Sequence, residues 1–191
     1  MGTSFVVSVF LQTVRHYSAI KTGVIFTAAT AGVLVSSLLA ERWAKRYPQR
    51  GLIRLGFVVT IVGIVLLLVL VITWSSIAAF VPGLLLIGLG LGAMLTPSVN
   101  VVQSSFDEDM QGEISGLSRS VSNLGSSFGT AIVGTILVAD LGAGNAAYAL
   151  AMGALALIAL VGLAAATRLP AERPPPRRAR AAPSPAAPEP A

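Results

Sequence analysis

The sequence contains no cysteine and only one histidine, His16. The absence of cysteine excludes a disulfide, a thiolate metal site and a cysteine nucleophile. The histidine stands beside Tyr17 in a polar linker, where a surface position is the ordinary explanation. No Ser/His/Asp set, metal-ligand cluster or phosphate-binding loop occurs in the sequence. The sequence therefore predicts neither an enzyme nor a bound cofactor.

Charged residues are also scarce. They make up 11% of the 191 residues, whereas hydrophobic residues make up 54% and the mean hydropathy is +0.81. A soluble domain has about 25% charged residues, so this composition predicts an integral membrane protein. The net charge of +5 does not indicate nucleic-acid binding, because the basic residues cluster beside long apolar runs and there mark membrane topology.

Apolar runs of membrane-spanning length recur along the chain, since a spanning helix needs about 20 residues. Full transmembrane helices are predicted at residues 22–40, 55–73, 78–103, 114–138 and 147–167. A shorter run at residues 1–13 predicts a partial transmembrane helix, interpreted as the end of a helix whose first half is missing from this chain. The predicted fold class is therefore an all-α integral membrane protein with five full transmembrane helices and one partial N-terminal helix.

Lysine and arginine are distributed unevenly among the predicted loops. Five lie in the loop 41–54 and five in the tail 168–191, whereas the loops on the other side contain only Arg15 and Lys21. Basic loops stay in the cytoplasm during insertion, so a multi-pass protein of the cell membrane with a cytoplasmic C-terminus is predicted. The acidic loop 104–113 is also placed in the cytoplasm, since acidic residues contribute little to this rule. The Pro/Ala/Arg-rich tail is predicted to be disordered.

Polar residues recur every three or four positions along the predicted helix 114–138 and so share one face: Ser115, Arg119, Ser122, Asn123, Ser126 and Thr130. An arginine within a span costs about 2.5–3.5 kcal/mol on insertion scales and usually faces the bundle interior or a water-filled cavity. One hypothesis is that a substrate or proton path is bordered by Asn100, Gln103, Arg119 and Asn123. The alternative is that Arg119 extends toward the interface and pairs with the acidic loop, while the serine face only joins helices.

Glycines mark two further stretches. Gly88, Gly90 and Gly92 form a GxGxG sequence, but no strand precedes it, so a dinucleotide site is not predicted. Gly88 and Gly92 have the GxxxG spacing, as do Gly125 and Gly129. This spacing is typical of helices that approach closely in a membrane, and close packing is the predicted role of the GxGxG glycines.

Three stretches bear a family resemblance: residues 10–12 with 17–23, residues 39–47 and residues 112–134. The first resembles the join between two helices, the second a degenerate basic loop signature, and the third a glycine-rich penultimate helix. Together they resemble the C-terminal half of the major facilitator superfamily, in its fourteen-helix drug:proton antiporter branch. The resemblance assigns Arg42, Arg46 and Arg50 to the cytoplasmic loop signature. Lys45 and Pro48 depart from it, since it has an acidic residue and a glycine there.

The resemblance implies that the chain is the C-terminal portion of a secondary active transporter that expels drugs by proton antiport. The implied partners are the lipid bilayer, a drug-like small molecule, protons, and the missing N-terminal half or a partner that supplies it. In such folds the substrate lies between two halves, so the chain is not expected to transport alone. The alternative is a non-transporting membrane module, either a partner subunit or a truncated remnant.

Overall fold

A computed structural model describes residues 1–44, 46–73, 76–139 and 145–168. No strand occurs in these ranges. Three parts of the chain considered above fall outside the described residues: Lys45, which departs from the loop signature, residues 140–144 between the last two predicted spans, and the tail beyond Arg168.

The described residues fold into long helices joined by short turns. The helices are α1 (Gly2–Val9), α2 (Ala19–Ala44), α3 (Gln49–Thr73), α4 (Phe80–Gln103), α5 (Gln111–Ala139) and α6 (Asn145–Thr167). A π-helical turn, Phe10–Val14, continues α1, and 3-10 turns occupy Ile77–Ala79 and Glu108–Met110. By length and hydropathy, α2 to α6 each suffice to cross a membrane, whereas α1 with its π-helical turn is shorter. The predicted fold class is confirmed.

The helices extend past the apolar runs from which their spans were predicted. α2 continues to Ala44 and α3 begins at Gln49, so most of the segment 41–54 is helical. α5 likewise begins at Gln111, within the segment 104–113. Hydropathy marks where a helix lies in hydrocarbon, whereas glutamate, arginine, glutamine and alanine continue it beyond that region because they are favourable helix formers.

α4 lies between α2 and α3 and meets both through glycines. A Cβ at Gly88 would overlap the carbonyl of Ala29 on α2, and a Cβ at Gly92 would overlap a serine hydroxyl on the same helix. On the opposite side, a Cβ at Gly90 would lie 2.6 Å from the carbonyl oxygen of Gly56 on α3. The helix backbones thus touch directly, which increases the van der Waals contact between them. Such contact drives helix association in a bilayer, where there is no hydrophobic driving force between helices. The close packing predicted for the GxGxG sequence is confirmed.

α1, α5 and α6 form a second packed group. Phe10 and Tyr148 are buried with ring centroids 4.3 Å apart, and Val133 and Leu137 of α5 belong to the same cluster. The ring of Phe10 also lies 6.2 Å from that of Phe80, which joins this group to α4. The Tyr148 hydroxyl is buried without a hydrogen-bond partner in the described part of the chain, so ring packing holds this side chain in place.

Arg54 connects α3 to the C-terminal end of α6. Its Nε donates a hydrogen bond to the carbonyl oxygen of Ala166 at 3.2 Å, and its Nη2 donates to that of Thr167 at 2.8 Å. The last carbonyls of a helix have no intrahelical partner, so the guanidinium satisfies two of them. This contact places the start of α3 and Arg168 at one end of the bundle, here called the basic end.

Candidate functional site

α5 is packed near its C-terminal end and open near its N-terminal end. Val133 and Leu137 are buried, and the ring of Phe5 lies 3.6 Å from the Cβ position of Gly134. Toward the other end, three glycines face open space, with nothing within 4 Å of their Cβ positions: Gly112, Gly116 and Gly125. In the most apolar stretch of α5 only 11% of the residues are buried, against 50% in α4.

The open part of α5 has two contrasting sides. The polar stripe consists of the exposed residues Ser115, Arg119, Ser122 and Asn123 and the half-buried residue Ser126. The opposite side exposes large apolar side chains, each 59–67% accessible: Leu117, Val121, Leu124 and Phe128. Apolar side chains suit lipid. Hydroxyls, an amide and a guanidinium do not, because hydrocarbon leaves their hydrogen bonds unmade.

The polar stripe continues the face of α5 that is buried further along the helix. Ser126, Thr130, Val133 and Leu137 follow at intervals of three or four residues, so they lie on one side of the helix. Exposure falls along this line, since Ser126 and Thr130 are half-buried and Val133 is fully buried. The polar stripe therefore faces the side on which α5 packs against its own bundle, and not the side of its exposed leucines.

Arg119 has no hydrogen-bond or ion-pair partner among the described residues. The alternative considered above, in which it pairs with the acidic segment before α5, is not seen there. Its neighbours in sequence are serines, Ser118 and Ser120, and Asn123 follows one turn later. A guanidinium cannot lose its proton in a protein, so this position presents a cation to whatever occupies the space beside the polar stripe.

Gln103 joins the end of α4 to the start of α5. Its Nε2 donates a hydrogen bond to the Oγ of Ser115 at 3.2 Å. The Nε2 of Gln111 donates to the backbone oxygen of Gln103 at 2.8 Å and to that of Phe106 at 3.3 Å. Gln103 is thus brought to the polar stripe, and its amide is engaged in holding the turn between the two helices.

The predicted path residues lie at different distances from one another. Gln103 contacts the stripe at Ser115, and Asn100 lies one turn earlier on α4 and is half-buried. Arg119 and Asn123 lie further along α5 and touch neither of them through any hydrogen bond in the described chain. The sequence analysis did not identify Gln111 as the residue that holds the turn between α4 and α5. The available signal was its position directly before Gly112 and Glu113, where the predicted acidic loop 104–113 ends.

The family model for the Major Facilitator Superfamily matches residues 1–190. The chain belongs to the Major Facilitator Superfamily. The resemblance predicted from residues 10–23, 39–47 and 112–134 is confirmed. As a superfamily member whose described residues include five apolar helices of spanning length, the chain is a multi-pass membrane protein of a transporter family. Members of this family act on small molecules within the membrane.

Curated relatives within the superfamily are named as drug transporters. The chain is 28% identical over 142 residues to "Drug efflux pump JefA" of Mycobacterium tuberculosis, a match that covers 74% of this chain and 28% of JefA. It is 30% identical over 142 residues to "Multidrug resistance protein Stp" of the same species, covering 74% of this chain and 26% of Stp. The match to "Puromycin resistance protein pur8" of Streptomyces alboniger is 28% identical over 138 residues and covers 71% of this chain and 27% of pur8. The matched segment is thus about a quarter of the length of these relatives.

The arginines assigned to the superfamily loop signature surround the turn between α2 and α3. Arg42 lies in the last turn of α2 and Arg50 in the first turn of α3, with Arg46 between them. Arg42 and Arg46 are exposed and Arg50 is half-buried. None of the three forms an ion pair within the ranges that the structure describes.

Proposed function

We propose that this chain is the C-terminal portion of a drug efflux transporter that exchanges its substrate for protons. The observation on which this depends is the polar stripe of α5, an open row of hydroxyl, amide and guanidinium groups beside a bundle whose buried side chains are mostly apolar. Membership of the superfamily supports transport, and the names of the curated relatives support drugs as the substrate class.

The polar stripe is proposed to form one wall of the substrate path. Substrate sites of such transporters lie near the membrane midplane between two related halves, and one half provides only one wall. Arg119 and Asn123 would face the path, with Asn100 and Gln103 at its mouth near the turn between α4 and α5. The second wall would come from an N-terminal half or from a partner subunit, so the chain by itself is not expected to transport.

Loss of the gene in its host tests the proposed activity. Disruption is expected to raise the cellular accumulation of at least one compound in a panel of cationic dyes, quinolones and puromycin, and restoring the gene is expected to reverse this. A protonophore should abolish the difference between the two strains, because antiport depends on the proton gradient. Accumulation is measured by fluorescence or by radiolabel, with the growth-inhibitory concentration as a second readout.

The outcomes separate the parts of this proposal. Unchanged accumulation of every compound would contradict drug efflux and favour the non-transporting module. If the two strains still differ in accumulation when protonophore is present and cellular ATP is held constant, proton exchange is contradicted, whereas drug efflux remains supported. A strain with an empty vector in place of the restored gene is the matched control.

The basic end is proposed to face the cytoplasm, and cysteine labelling tests this orientation. The chain has no cysteine, so one introduced thiol reports its own position. In intact cells a membrane-impermeant maleimide is expected to label a Gln12→Cys variant and to label Tyr47→Cys only after permeabilisation, since both native residues are exposed and lie at opposite ends. The opposite pattern would invert the topology, and the unmodified chain controls for background labelling.

A further inference from the structure

A groove opens where α3, α4 and α6 meet near the basic end. Its volume is about 260 Å³. Its walls include two residues from each helix: Ile53, Phe57, Val101, Val102, Gly162 and Ala165. The ring of Phe57 packs against Gly162, where a Cβ would lie 2.5 Å from a ring carbon. Apart from Ser98, which also lines the groove, these walls are apolar side chains or glycine and accept hydrocarbon.

A cation stands at the rim of this groove. Ala166 lines the groove, and its carbonyl oxygen accepts the hydrogen bond from Arg54 Nε at 3.2 Å. A guanidinium has five N–H groups in a rigid fork, and the contacts to Ala166 and Thr167 engage only some of them. Arg50 lies one turn before Arg54 on α3, and Arg168 follows directly after α6. The apolar groove thus opens beside a cluster of arginines.

No acidic residue balances these arginines on the helices that form the groove. α3, α4 and α6 contain neither aspartate nor glutamate at any position. No carboxylate on these helices offsets the charge of the arginines, and Asp107 and Asp109, in the segment after α4, form no ion pair with them in the described part of the chain. Arginine recognises phosphate through paired hydrogen bonds better than lysine does, because its fork matches two phosphate oxygens.

We propose that the groove binds an anionic phospholipid, with one acyl chain in the groove and the phosphate on the arginines at its rim. The apolar walls require a hydrocarbon chain, which inorganic phosphate lacks. The arginines favour an anionic headgroup over a zwitterionic one, since basic residues at a membrane surface attract anionic lipids. The groove and the proposed substrate path share α4, but none of the four path residues, Asn100, Gln103, Arg119 and Asn123, lines the groove.

The test compares two lipids with identical acyl chains on the purified 191-residue chain in neutral detergent. Phosphatidylglycerol is expected to raise the melting temperature and to remain bound at one molecule per chain in native mass spectrometry. Phosphatidylcholine and inorganic phosphate are each expected to do neither. Equal shifts with both lipids would overturn the anionic preference, and a shift with phosphate alone would reduce the site to a simple anion site.

Adjacent alanines supply a matched pair of variants. Both alanines are exposed, but Ala165 lines the groove and Ala164 does not. Ala165→Leu fills the groove without changing any charge, so the shift caused by phosphatidylglycerol is expected to disappear, and Ala164→Leu is expected to retain it. Retention of the shift in Ala165→Leu would contradict the groove as the site.

Two arginine variants separate a local site from general attraction to the basic end. Arg54→Lys keeps the charge and removes the fork, so a reduced lipid shift is expected, while Arg46→Ala should leave the shift unchanged because Arg46 belongs to the turn and not to the groove. If Arg46→Ala weakens the shift as much as Arg54→Lys, diffuse charge attraction explains the binding and the specific site is wrong. The lipid-dependent difference within each variant is compared, so a change in basal stability does not affect the result.

Discussion

Gly88→Ala is expected to destabilise the bundle by about 1–3 kcal/mol, the usual penalty for overpacking. The added methyl group would overlap the carbonyl of Ala29 on α2. That obstacle is backbone, which moves only if the two helices separate, and separation would loosen other backbone contacts along the same interface. The expected result is a clear fall in the melting temperature in detergent, measured by loss of the monodisperse peak after heating.

Gly23→Ala on α2 is the matched control for this substitution. Nothing lies within 4 Å of the Cβ position of Gly23, and alanine is the better helix former by about 0.8–1.0 kcal/mol. The control is therefore expected to melt at the same temperature as the unmodified chain or slightly above it. Equal melting of the Gly88→Ala and Gly23→Ala variants would contradict the direct backbone contact between α2 and α4.

Arg119→Ala is expected to lower efflux about tenfold, which corresponds to about 1.4 kcal/mol. The reason is that Arg119 presents a permanent cation, without a partner among the described residues, on the side of α5 proposed to border the substrate path. Arg119→Lys should retain part of the activity because it keeps the charge. The measurement is drug accumulation in the gene-disrupted strain restored with each variant, with the amount of protein in the membrane determined by immunoblot.

Leu117→Ala is the control on the same helix. Leu117 lies two residues away, on the exposed apolar side of α5, and its truncation should leave efflux unchanged. Wild-type efflux by Arg119→Ala would remove Arg119 from the proposed path and favour an interfacial position for its side chain. Equal losses of efflux in both variants would indicate that efflux is sensitive to any substitution in α5. The polar stripe would then have no special role.

The two GxxxG pairs show what a short pattern leaves open. Gly88 and Gly92 meet the backbone and a side chain of α2, whereas Gly125 meets nothing within 4 Å and Gly129 likewise. Both pairs have identical spacing and both lie in helices of spanning length. Spacing determines that two glycines share one side of a helix, but a neighbour must be present on that side for the packing to form. Close packing on the Cβ side is thus seen for the first pair in the described chain, whereas at the second pair α1 approaches only the carbonyl of Gly129, whose oxygen lies 3.4 Å from the Cβ position of Gly2.

The candidate site was also only partly predictable, because the sequence shows which residues share one side of a helix but not what lies beside them. The three-to-four-residue recurrence of polar groups identified the polar stripe in advance, since that periodicity follows directly from helix geometry. The sequence did not reveal that Gln103 bonds to Ser115, that Gln111 closes the turn, or that Arg54 reaches the end of α6. The last contact joins residues separated by 112 and 113 positions, and no local pattern specifies such a pair.

Composition and the lengths of its apolar runs were sufficient to determine that this chain is a helical membrane protein with five full spans and a shorter first helix. A bilayer acts on each segment separately, because every backbone group within it must be satisfied inside its own helix. Only the tertiary structure decided which side of each helix is covered, that α4 is enclosed by α2 and α3, that the polar stripe of α5 is open, and that a groove adjoins Arg54. Those features depend on which helices become neighbours, and packing between distant segments has no counterpart in any single stretch of sequence.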